Sequence, residues 1–164
     1  MCDIRSEDLK DAQASLKTIL NTLSEINKIV AIDQLSTRRL ITYWILPTPK
    51  YTLKELGDVY RQEMVTEHSH FDGSYDFSVL LDIERGGTRL HHQSGPMERK
   101  QLLEEYLRYG LKDVPRSFLF LEAAVVDPKA VKYSFDEMSS FVLNSFSYCE
   151  AHSKEFERIW GGKL

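Results

Sequence analysis

Four of the chain's five histidines, His68, His70, His91 and His92, fall within a stretch of 25 residues that also holds Asp72, Asp76, Asp82 and Glu84. Neutral imidazoles and carboxylates are the ligand types that zinc and similar divalent ions select. In the segment HSHFDG, residues 68–73, the side chains of His68, His70 and Asp72 are the candidate ligands. His91, oriented by Asp82, is the candidate general base, because a neighbouring carboxylate raises the basicity of an imidazole. Taken together these residues describe a small metal-dependent hydrolase. Each part also has a purely structural reading. Imidazoles just beyond a helix C-terminus meet the negative end of its dipole, and Asp72-Gly73 makes a turn. An Asp82/His91 pair is equally a cross-strand ion pair worth a fraction of a kcal/mol.

Other reaction signatures are missing from the sequence: it has no GxxxxGKS, GxGxxG, GxSxG or HExxH. Ser94 stands two residues from His92, which places both on one face of a strand without by itself making a nucleophile–base pair. A formal charge of −4 supplies no cationic field for phosphates, so no nucleic-acid partner is expected. The longest apolar runs, LITYWIL and FLFLEAAVV, are too short to span a bilayer, and no membrane partner is expected. Cys2 and Cys149 are far apart and have no CxxC companion, which argues against a disulfide framework or a structural zinc site. With an N-terminal MCDIRSEDLK that lacks an apolar core, the chain reads as cytoplasmic.

The elements that must position these residues follow from periodicity. With 164 residues, 42% of them apolar, the chain has the size of one domain, 1–164. Within it the sequence separates an N-terminal helix (1–35), a core (36–128) and a C-terminal helix (129–164). Leu9, Ala12, Leu16, Ile19, Leu23, Ile26 and Val30 recur every three or four residues, one stripe of a helix that begins near Ser6. RLITYWIL, 39–46, is β-branched and aromatic and is stopped by Pro47, so it reads as a strand. Thr52 and Glu55 have capping-box spacing for a helix running to about Thr66.

YDFSVLLDIERGGTRLHHQ alternates on both sides of Gly86-Gly87, the signature of a tight hairpin. If Arg85 faces Thr88, then Glu84 faces Arg89, Ile83 faces Leu90, Asp82 faces His91 and Leu81 faces His92. Charges then meet on one face and apolar groups on the other, a match that a one-residue slip destroys. Pro96 suits the first turn of a further helix, with Leu102, Leu103, Tyr106 and Leu107 inward and Gly110 as its stop. SFLFLEAAVV, 117–126, is the last strand, and Ser134 with Glu137 caps a long helix reaching Trp160.

The order is a βαββαβ core flanked by two helices, an α+β class that suggests a ferredoxin-like or related antiparallel sheet; because TRLHHQ is the most polar strand, an order with this hairpin at the edge stays open. On the C-terminal helix Met138, Phe141, Val142, Phe146, Cys149, Phe156, Ile159 and Trp160 form an arc about half the circumference wide, with His152 inside it. A single neighbour does not fill so broad an arc. Aromatic residues are enriched at interface centres, so Phe141, Phe146, Phe156 and Trp160, with Leu16 and Leu23 on the first helix, are the candidate partner-binding residues. The sequence therefore suggests a non-catalytic interaction domain, of adaptor, chaperone, immunity or regulatory type. On this reading it needs no cofactor and either forms a homodimer or binds a protein partner through its terminal helices. The metal-dependent hydrolase is the alternative.

Overall fold

The computed structural model describes residues 9–30, 32–65, 74, 76–85, 87–102, 104 and 114–164. In chain order the elements are α1 (Leu9–Ile29), β1 (Gln34–Leu35), β2 (Arg38–Pro47), α2 (Leu53–Met64), β3 (Val79–Arg85), β4 (Thr88–Glu98), α3 (Arg99–Gln101), β5 (Ser117–Asp127), β6 (Val131–Lys132) and α4 (Phe135–Gly161). They form two compact units, Met1–Leu40 with Val126–Tyr148, and Ile41–Val125 with Cys149–Leu164.

The first unit holds α1, a two-stranded ribbon and the leading half of α4. In the ribbon Gln34 lies opposite Lys132 and Leu35 opposite Val131, antiparallel. Leu16, Leu20 and Phe146 are buried. Arg38 donates to the Asp127 carboxylate at 2.5 Å and lies 4.9 Å over the Phe141 ring. That guanidinium, helped by the Lys129 backbone N–H, holds the Asp127 carboxyl below the usual carboxylate range. Ser134 Oγ accepts from Glu137 N–H at 3.4 Å, which opens α4 at the residue that the sequence marks.

The second unit is built on a four-stranded sheet in the order β2-β5-β4-β3. β3 and β5 each pair antiparallel with β4. Thr42 Oγ1 donates to Ala123 O at 3.0 Å and Thr48 Oγ1 to Ser117 O at 3.1 Å, so β2 ascends as β5 descends and is antiparallel too. The class is α+β as expected, but the strand order is not the ferredoxin-like one, in which the first and third strands of the βαββαβ run are central. Here β5 takes the first strand's place. The physical reason is β5's composition: residues 117–125 are buried without a break, and a strand apolar on both faces gains most between two neighbours.

A second correction concerns Pro96, which starts no helix and lies in β4 opposite Leu119. β3 pairs with β4 only as far as Ser94, so beyond it β4 has β5 alone as a neighbour, and a residue without an N–H is tolerated there. The helix begins instead at Arg99, and Leu103, Tyr106, Leu107 and Gly110 lie outside the described residues.

The hairpin register is as the turn dictates, from Arg85 opposite Thr88 through Leu81 opposite His92 to Val79 opposite Ser94. Gly87 has φ +78, a conformation that costs glycine least. α2 starts with a complete capping box: Thr52 N–H donates to Glu55 Oε2 at 2.8 Å, and Glu55 N–H returns to Thr52 Oγ1 at 3.3 Å. One sheet face packs Leu119 and Leu121 with Leu56 and Tyr60 of α2 and with Phe156 and Trp160 of α4. The opposite face gathers Phe118 and Phe120 with Leu102 and Val114.

Candidate functional site

The period of β4 puts Leu90, His92 and Ser94 on the face that α2 and the trailing part of α4 cover. Tyr60, inward on α2, and His152, inward on α4, arrive at the same place and complete a chain of four polar side chains. Tyr60 Oη lies 2.7 Å from Ser94 Oγ, Ser94 Oγ 2.5 Å from His92 Nε2, and His92 Nδ1 2.7 Å from His152 Nε2. Either donor direction along this chain satisfies every contact, and both leave His92 neutral. Burial pushes His92 down to about 4, with His152 and then His91 adding repulsion, and burial pushes Tyr60 up to about 12 against the bond from Ser94.

The order serine, histidine, orienting group resembles a nucleophile relay, but the chemistry does not follow. Ser94 is 1% exposed and its Oγ is already engaged by Tyr60, so no reacting carbon reaches it. A histidine as third member does not stabilise a neighbouring imidazolium as a carboxylate does, and His92 holds a proton poorly. The chain satisfies buried polar groups. The sequence shows that His92 and Ser94 share a face and that His152 is inside the α4 arc. It does not show that α4 crosses β4 at His92.

The proposed dyad is present at the sheet surface. His91 Nδ1 lies 3.2 Å from Asp82 Oδ1, while Arg89 donates to Asp82 Oδ2 at 2.7 Å. Arg89, the larger influence, and His91 together hold the Asp82 carboxyl below its usual range. The carboxylate is thus shared between two donors, and the closer contact is Arg89's. Its geometry is that of an exposed cross-strand ion cluster. His68, His70 and Asp72 lie outside the described residues, and among the described residues no three metal-ligating side chains converge. A cavity of about 220 Å³ lined by Leu46, Pro47, Thr48, Tyr51, Gly161 and Leu164 brings no reactive set together.

The candidate partner-binding residues are mostly occupied within the chain. Phe156 and Trp160 are buried against Tyr60, whose ring stacks on Trp160 at 4.7 Å between centroids. Phe146 and Leu16 are buried, Leu23 is half-buried, and Phe141 carries the Arg38 guanidinium on its ring. The arc on α4 is broad because its leading half, with Phe146, is buried in the first unit and its trailing half, with Cys149, Phe156 and Trp160, in the second. Apolar exposure lies elsewhere on α1: Ile26 is 44%, Ile29 85% and Val30 58% exposed. These residues continue the stripe of Leu16, Ile19 and Leu23 and occupy i, i+3 and i+4 positions. The segment is ordered, since Val30 N–H donates to Ile26 O at 2.8 Å and Ile32 N–H to Asn27 Oδ1 at 3.1 Å.

Among the described residues no helix is long and apolar enough to cross a membrane. No family model matches the chain, and no curated protein or solved structure is significantly similar to it.

Proposed function

We propose that this protein is a non-catalytic interaction domain that holds a protein partner through the end of α1. The observation that carries the reading is the exposed triplet of Ile26 and Ile29, in the last turn of α1, and Val30 just beyond it, whose N–H is bonded to Ile26 O. Isoleucine and valine side chains lose about 1.5–3 kcal/mol each when left in water instead of being buried. Three of them on adjacent turns form a patch that an amphipathic helix or a groove on another protein covers. For the competing hydrolase reading, the Asp82 carboxylate that would orient His91 is shared with Arg89, and His68, His70 and Asp72 lie outside the described residues.

The test is affinity capture from the cells that make the protein, comparing the parent with the triple variant Ile26→Ser, Ile29→Ser, Val30→Ser. A partner held by the parent and reduced at least tenfold by the variant, with the thermal midpoint of the variant unchanged, is the expected result. Equal capture by both proteins contradicts the assignment.

A further inference from the structure

We infer that the free edge of β3 pairs antiparallel with β3 of a second copy of this chain, extending the sheet across a two-fold axis at Leu81. This surface is separate from the α1 stripe and does not depend on it. β3 is the last strand of the order β2-β5-β4-β3. Its hydrogen-bonded neighbour is β4, and among the described residues nothing bonds to its outer side. Such an edge presents a row of backbone N–H and C=O groups that a strand satisfies.

The side chains narrow the occupant to a strand. Leu80 is 60% and Leu81 44% exposed, and they point to opposite faces because successive residues of a strand alternate. A helix laid on one face would bury one leucine and leave the other in water. An added strand flanks both. Residues 76–85 also contain no lysine and no proline, two common devices that keep sheet edges apart.

Register then favours a second copy. With Leu81 opposite its own counterpart, Val79 meets Ile83 twice on the same face, so that face becomes apolar throughout, and Leu80 meets Asp82 on the other. Sliding by one step so that Asp82 lies on the axis sets two carboxylates against each other, and sliding further sets Asp82 against Glu84. In the Leu81-centred register no like charges are opposed. Asp82 is drawn towards β4 by Arg89 at 2.7 Å, so its carboxylate does not confront Leu80 uncompensated.

Light scattering on the purified full chain reads the outcome. The parent is expected to be a dimer, and Leu81→Lys and Leu81→Glu, each placing like charges on the axis, are expected to be monomers with the parental far-ultraviolet circular dichroism, their thermal midpoints lowered only by the lost association. Mixing the two variants is expected to restore a dimer, because Lys then faces Glu. A parent that stays monomeric at every concentration overturns the proposal, as does a dimer indifferent to Leu81→Lys or a mixture that does not reassociate. Since Ile26, Ile29 and Val30 are untouched, partner capture through α1 is scored independently.

Discussion

Ser94 is held from two sides, by Tyr60 Oη at 2.7 Å and His92 Nε2 at 2.5 Å, inside a face that water does not reach. Removing its hydroxyl leaves both neighbours short of a partner while the cavity gained is small. Ser94→Ala is therefore expected to lower stability by about 1–3 kcal/mol, read from denaturant midpoints. An unchanged midpoint would mean that the chain is not holding these groups. The same residues set a pH dependence. His92 protonates near its ordinary value of 6.5 when unfolded but only at about 4 when folded, so between these the unfolded state binds more protons. Stability is then complete above about pH 6.5 and falls as the pH drops towards 4, by up to about 3 kcal/mol from this group. The difference in stability between the parent and His92→Gln, followed over that interval, isolates it from carboxylate titration. A difference that does not change with pH contradicts the assignment.

At the scale of elements, what the sequence revealed and what it hid have distinct physical causes. The β3-β4 register was legible because a two-glycine turn fixes which residues face each other, and period 2 does the rest. The α2 cap was legible because Thr52 and Glu55 act locally. Strand order was not, since it depends on which apolar face finds which neighbour, and the continuous burial of β5 outweighed the expected topology. Pro96 was misread as a helix start because its tolerance in β4 depends on where β3 stops, which is a fact about another strand. Near it, a Cβ on Gly95 would stand 2.6 Å from Phe77 O and 3.0 Å from Ser78 Cα. That neighbour is backbone leading into β3 and does not yield as a side-chain tip would. Gly95→Ala is expected to cost about 1–3 kcal/mol, checked by thermal unfolding, and neutrality would show that the approach of the two segments is not tight. The candidate metal ligands His68, His70 and Asp72 lie outside the described residues, and the candidate dyad Asp82 and His91 comes together as the register requires.

Among the described residues, the hydrogen-bonded chain of Tyr60, Ser94 and His92 and the exposed apolar patches on α1 and β3 lie in different places. Tyr60, Ser94 and His92 are inside, whereas Ile26, Ile29 and Val30 on α1 and Leu80 and Leu81 on β3 face water. Phe156 and Trp160 are buried within the second unit, Leu23 and Phe141 are half-buried, and the end of α1 adds an exposed apolar patch. The most direct measurement is a three-way affinity capture: parent, the Ile26/Ile29/Val30 to serine triple variant, and Ser94→Ala, all at a temperature where each is folded. The parent and Ser94→Ala are expected to retain the same partner, and the triple variant to lose it. Retention of the partner by the triple variant contradicts the assignment to α1.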